Sequence, residues 1–354
     1  MSTLPRFRRE PATIRTTEDA QIRGRLAPYS LRGNCRMGAL VGEFIQLPFI
    51  AADQVEAAFP LKAAMDSQRS AFAAFDQGRA VMGKRGVISN GNDVSFAYVA
   101  RSSVTSPTIV KFGSITNSNS SIGLPVVQAY IAILDRQTGS LTSFIDGESV
   151  TRIRTTAASM VAAQVLAHSP SIIAVVGAGL QGLAHARAAI ELFSPSKLIL
   201  VVRSLNSEIE EFEKEFECCE ITYRIDDAIE KADLIFLSTN TVEPVLTILP
   251  KPGTTVISIG SFSPNREEVS GAIVAASDAI FGDDAETVKT QSGSVIAALN
   301  IDPTLDSSIT SLGTCINNPS LGRKSAEEII MYFSVGLGFQ DAAIVEKYFE
   351  LINK

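Results

Sequence analysis

The chain has 354 residues, 45% of them hydrophobic, and a formal net charge of −7. That length exceeds what one hydrophobic core usually serves, so two domains are expected. The acidic balance leaves no general basic surface for a phosphate backbone, and no run approaches the ~20 apolar residues of a spanning helix; neither nucleic acid nor membrane is an expected partner.

The first residues cluster Arg6, Arg8, Arg9 and Arg15, but Glu10, Glu18 and Asp19 interrupt them and no apolar signal core follows, so residues 1–48 read as an irregular arm. Over 60–76, Leu61, Met65, Phe72 and Phe75 recur at helical spacing, with Pro60 suited to a first turn and Gly78 to a stop. Runs at 94–101, 108–114, 126–135 and 141–146 predict a largely antiparallel sheet, the last two joined through Gln137-Thr138-Gly139. An alanine-rich helix is predicted over 151–167, ended by Ser169-Pro170. Apolar strands at 172–176, 198–202, 221–223, 234–237 and 256–259 then alternate with helical stretches, the pattern of a parallel sheet covered on both faces. Residues 325–354 read as an amphipathic helical tail that packs back on the first domain.

Gly177-Ala178-Gly179-Leu180-Gln181-Gly182 follows the strand at 172–176 and precedes a helical run. In that context the motif marks a dinucleotide loop: Gly177 for the turn, Gly179 for approach to the pyrophosphate, Gly182 for close helix packing. The fold class is therefore α/β, with a Rossmann domain at 157–315 and a smaller α+β domain from 49–156 and 316–354. About twenty residues on, where an NAD site places a carboxylate on the ribose, Arg203 and Ser204 stand instead. They suit a 2′-phosphate, so NADP(H) is favoured and NAD(H) stays open; a solvated arginine is the plain alternative, and Glu208 or Glu210 can reach back. Cys35, Cys218, Cys219 and Cys315 lack zinc spacing and read as reduced thiols of a cytoplasmic protein. His168 reads as a cap or surface residue and His185 as partly buried packing. No metal site is expected.

Gly123-Leu124-Pro125, Asp135 with Thr138-Gly139, Asp146-Gly147, Arg154-Thr155-Thr156-Ala157-Ala158 and Gly177-Ala178-Gly179-Leu180-Gln181 stand in this order, followed by Lys251-Pro252-Gly253-Thr254 and Ser334-Val335-Gly336-Leu337. The set resembles the ornithine cyclodeaminase/mu-crystallin family over about residues 55–345. Members include cyclodeaminases, alanine dehydrogenases, cyclic ketimine reductases and hormone-binding crystallins, typically homodimers paired through the non-Rossmann domain. The resemblance implies that Arg85, Lys111 and Arg154 face the substrate with Asn119 nearby, and that Thr155, Thr239, Gly260 and Ser334 lie by the cofactor. Fixed cations suit a substrate carboxylate, and Lys111 is the catalytic candidate, as part of that clamp or as proton donor. The plain alternatives are an edge-strand lysine at 111 and a surface arginine at 154, with Arg152 as a decoy.

One position departs from the family: Phe262 stands where the cyclodeaminases and archaeal alanine dehydrogenases carry an aspartate. A phenyl ring has no acid/base chemistry for loss of ammonia, which favours a ketimine reductase. The expected reaction is NADPH-dependent reduction of a small cyclic 2-imino carboxylate, such as pyrroline-2-carboxylate or piperideine-2-carboxylate. The alternatives are an amino-acid cyclodeaminase or dehydrogenase and a crystallin-like binding protein.

Overall fold

A computed structural model describes residues 47–353 apart from Asn92. The expected arm at 1–48 lies almost wholly outside the described residues, as does Cys35. From Leu47 on, the chain forms one compact unit with two sheets.

The first sheet has seven strands. Phe49–Ile50, Leu141–Asp146, Val127–Leu134, Thr108–Ile115, Asp93–Arg101 and Val81–Met82 are neighbours in that order, and Gly86–Asn90 also pairs with Asp93–Arg101. Phe49–Ile50 runs parallel to its neighbour and the other pairings are antiparallel, as the sequence predicts. Side chains alternate between faces along a strand. Register therefore lines up Tyr98, Lys111, Ile131 and Ile145 across four strands on a buried face, while Phe112 and Tyr130 occupy the exposed one. The hairpin at 137–139 turns as expected, with Gly139 at φ +70° and Asp135 accepting from the backbone of Gln137 and Thr138.

The second sheet has eight parallel strands in the order Cys219–Thr222, Lys197–Val201, Ile172–Val176, Leu234–Leu237, Thr255–Ser258, Ile330–Phe333, Ala279–Gly282 and Thr310–Ser311. Every residue of Leu234–Leu237 and Thr255–Ser258 is buried, as strands covered on both faces must be, and Leu234–Leu237 is accordingly apolar throughout rather than alternating. After Ile172–Val176 the chain adds strands outward on one side, then returns at Leu234–Leu237 on the other. Between those two strands lies the crevice where open α/β sheets bind ligands.

The expected helical tail at 325–354 is corrected. Residues Ile330–Phe333 form a buried strand wedged between Thr255–Ser258 and Ala279–Gly282, and the helix begins only at Gly338, as Gly338–Ile352. The run Ile-Met-Tyr-Phe suits a strand covered on both faces, and Gly336 at φ +78° breaks any continuous helix. The parallel sheet thus draws on residues beyond the expected 157–315.

Helix Gly147–Leu166 begins at the end of the first sheet, with Asp146 capping it through Ser149 N at 2.7 Å, and reaches the second sheet. At its far end Arg323 Nε donates to Leu166 O at 2.7 Å, and the same guanidinium reaches Glu328 O, Gly253 O and Thr255 Oγ1. Arg323 therefore staples the helix end to the sheet. Among the described residues no helix is long and apolar enough to cross a membrane, and no group of His, Cys, Asp or Glu is arranged to hold a metal ion.

Candidate active site

Strand Ile172–Val176 delivers the chain to Gly177 at φ +96°, a region that favours glycine. A Cβ on Gly177 would meet Ser238 O at 2.8 Å, and one on Gly182 would meet Gly177 O at 1.7 Å. Both absences let helix Leu180–Phe193 start hard against the strand. Gly179, the N-cap of that helix, differs because a Cβ there would meet nothing within 4 Å. Open space before a helix N-terminus, edged by exposed Leu180 and by Gln181, fits a dinucleotide pyrophosphate. Arg203 and Ser204 are exposed just beyond strand Lys197–Val201, the neighbour of the strand that enters the loop.

Thr239 and Gly260, expected beside the cofactor, stand at the ends of the next two strands, where one buried carboxylate ties them together. Glu268 accepts from Thr239 N at 2.5 Å and Thr239 Oγ1 at 2.7 Å, and from Gly260 N at 2.6 Å and Ser258 Oγ at 2.8 Å. Burial pushes the Glu268 carboxyl above its usual range against these bonds. The Thr239 hydroxyl and the two amides are thus turned toward Glu268. Ser334 likewise gives its hydroxyl to Asp283, at 3.1 Å.

The helix after the glycine loop is joined to helix Gly147–Leu166 through His185. Its Nδ1 lies 2.7 Å from Gln181 O and its Nε2 2.9 Å from Ser159 Oγ. A carbonyl only accepts, so Nδ1 carries the proton and Nε2 accepts from the serine. Burial lowers the imidazole pKa to about 4 and keeps it neutral. His185 is more deeply buried than the sequence suggests, and its role is to join two helices. His168 is exposed, as expected.

Two of the substrate-facing candidates, Lys111 and Arg154, converge on Asp341, with Arg85 close by. Strand Thr108–Ile115 is interior, so Lys111 is no edge residue. Its Nζ donates to Asp341 Oδ1 at 2.7 Å and to Thr151 Oγ1 on helix Gly147–Leu166. Arg154, one turn along that helix, places Nε 3.6 Å from the same Asp341 oxygen, and its Nη1 donates to Gln340 Oε1 at 3.3 Å. Arg85 Nη2 donates to Gly336 O at 3.1 Å, and its guanidinium lies 5.4 Å from the centre of the Tyr98 ring. Tyr98 OH in turn donates to Asp341 Oδ2 at 2.8 Å.

Lys111 and Arg154, both buried, thus share the Asp341 carboxylate, and Arg85, an exposed residue, stands beside them over the Tyr98 ring, so the cluster of three cations and one carboxylate is net positive. Burial lowers the Lys111 pKa, with Asp341 opposing; burial alone would raise Asp341, but Lys111 and Arg154 hold it below its usual range. Chemically, such an arrangement can attract an anion and can hold or release a proton at Lys111 Nζ.

The remaining expectations fall elsewhere. Asn119 Nδ2 donates 2.9 Å to Pro125 O, bracing its own loop. Thr155 Oγ1 donates to Thr151 O at 2.6 Å within the helix, one turn from the Lys111 contact. Arg152 pairs with Glu56 at the surface, which removes it as a rival to Arg154. Phe262 is half-buried beneath the Arg266 guanidinium, 4.8 Å from its ring centre. A cleft of about 510 Å³ between helices Leu61–Asp76 and Gly338–Ile352 is lined by Asp66, Arg79, Glu346 and Lys347. Its mixed charges converge on nothing. Tyr98, Asp341 and Gln340 escaped the sequence reading; the available signal was a glutamine and an aspartate inside the otherwise apolar run 339–345.

Comparison with known proteins agrees with this geometry. Delta(1)-pyrroline-2-carboxylate reductase of Bacillus cereus is 27% identical over 245 residues, 68% of this chain and 75% of the relative. The ketimine reductase mu-crystallin of Mus musculus is 27% identical over 206 residues, 56% of this chain and 63% of the relative. Among solved structures, Thermococcus litoralis Delta(1)-pyrroline-2-carboxylate reductase in complex with NADH and L-proline superposes with a TM-score of 0.79 at 25% identity, covering 87% of this chain and 98% of that one. The family model for ornithine cyclodeaminase/mu-crystallin matches residues 48–353. With that match over most of its length, and with the glycine loop and the cationic cluster both in place, the chain belongs to the ornithine cyclodeaminase/mu-crystallin family.

Proposed function

We propose that this protein reduces a small, cyclic 2-imino carboxylate, such as pyrroline-2-carboxylate or piperideine-2-carboxylate, to the L-amino acid. The observation that carries this reading is the net positive cluster in which Lys111 and Arg154 share Asp341 and Arg85 stands beside them over Tyr98. An ammonium has three N–H donors; Asp341 and Thr151 fix two at Lys111, which aims the third. Arg154 and Arg85 hold the substrate carboxylate, and Lys111 joins them or delivers a proton toward the imine nitrogen. A nicotinamide dinucleotide bound on the glycine loop supplies the hydride. At Lys111 and Arg154, fixed charge with little exposure to water stabilises the anion better than solvent does.

Phe262 supports reduction over cyclisation of a diamino acid, because ammonia loss needs an acid/base group that a phenyl ring under Arg266 does not provide. Exposed Arg203 and Ser204 support NADP(H), by pairing with a 2′-phosphate. The first sheet with the final helix serves substrate binding and dimer formation, and the parallel sheet serves the cofactor. Phe49, Val99, Phe112 and Tyr130 are each more than a third exposed on the outer face of the first sheet, and such a face suits pairing with a second copy. Free Cys218, Cys219 and Cys315 support a cytoplasmic setting.

The test is to mix the protein with NADPH and each ketimine and follow loss of the reduced nicotinamide. Turnover with production of L-proline or L-pipecolate is expected. Tight ligand binding without NADPH consumption, or ammonia release from ornithine instead, overturns the assignment.

A further inference from the structure

The strand Ala279–Gly282 ends at Asp283, a fully buried carboxylate that the chemistry above does not use. Its Oδ2 accepts from Ser334 Oγ at 3.1 Å, Val335 N at 2.9 Å and Gly336 N at 2.8 Å, while Oδ1 accepts from Asp284 N at 3.0 Å. Burial raises its pKa to about 6, so keeping it ionised has a cost that an apolar side chain would not have. What the carboxylate provides in return is a single fixed shape for the turn at 334–336.

That turn touches both guanidiniums of the cationic cluster. Gly336 O accepts from Arg85 Nη2 at 3.1 Å. Gly336 stands at φ +78°, and the space a Cβ would fill there lies 2.7 Å from both Nη1 and Nη2 of Arg154. A small rotation of the turn would therefore withdraw the acceptor from Arg85 or press the backbone into Arg154. Taking as its basis the reading that these two arginines hold the substrate carboxylate, we propose that Asp283 is a positioning residue: it fixes the turn at 334–336, and the turn aims Arg85 and Arg154. Asp283 itself sits in the parallel sheet, so the element that orients the clamp is anchored in the cofactor-binding half of the molecule.

The test is Asp283→Asn in the full chain. The amide keeps the shape but presents N–H groups on one side, facing donors. KM for pyrroline-2-carboxylate and the Kd of L-proline for the NADP+-loaded protein should each rise about tenfold, equivalent to one lost hydrogen bond to a charged group. The kcat and the Kd for NADPH should stay within about twofold. Unchanged proline affinity overturns the proposal, and so does an equal loss of NADPH affinity, which would mark a general loosening of the fold. Should this variant not fold, Ser334→Ala removes a single donor to Asp283 and should weaken proline binding about threefold; no change there overturns the proposal. Arg154→Lys, run in parallel, separates the two levels. If it leaves proline affinity untouched, the clamp reading itself fails and takes the proposal with it; if it weakens proline while Asp283→Asn does not, the clamp stands and only the role of Asp283 falls.

Discussion

Lys111 Nζ lies 2.7 Å from Asp341 Oδ1, across 230 residues of sequence, and the aspartate is completely buried. Removing one partner of such a pair strands the other charge without water. Asp341→Asn is expected to destabilise the protein by about 3–5 kcal/mol, measured by urea unfolding at neutral pH. Because the Asp341 pKa is depressed in the folded state, the stability it contributes is present above the ordinary carboxylate range and is lost as pH falls through the depressed value.

The same pair sets a pH limb. Burial lowers the Lys111 pKa and Asp341 raises it, so the ammonium persists only below a pH under the ordinary lysine range. The alkaline fall in kcat/KM should therefore begin below that range and move to still lower pH in Asp341→Asn. A limb that stays in place would separate Lys111 from the reaction.

Gly182→Ala puts a Cβ 1.7 Å from Gly177 O, a contact with backbone that no side-chain rotation relieves. Dinucleotide affinity should fall by about 100-fold or more, read by calorimetry alongside the thermal midpoint. Gly179→Ala, with open space at its Cβ, should leave the midpoint near wild type while still weakening the dinucleotide.

Arg203→Asp replaces the exposed cation beyond strand Lys197–Val201 with the carboxylate usual at NAD sites. NADPH affinity should drop by about 10- to 100-fold while NADH gains. Equal effects on both cofactors would remove Arg203 from the 2′-phosphate.

Much of this was legible in the sequence for reasons of locality. The glycine loop, its strand and its helix lie within twenty-odd residues, and their periods and turn chemistry specify them directly. The strand at Ile330–Phe333 was not legible, because a short apolar run fits helix or strand until its neighbours are known, and those are strands Thr255–Ser258 and Ala279–Gly282. Lys111 and Arg154 were found through family resemblance, but Asp341 and Tyr98 depend on register and on a C-terminal helix packed against the first sheet. Thr239, Gly260 and Ser334 were singled out as lying by the cofactor, yet the buried acids Glu268 and Asp283 that occupy their donors are visible only in three dimensions.

The central claim is that uncompensated positive charge at Lys111, Arg154 and Arg85 selects a carboxylate. It is tested most directly by titrating the NADP+-loaded protein with L-proline and with L-prolinamide, which differ only at that group. The account predicts that L-proline binds at least about 100-fold more tightly; equal affinities would contradict it.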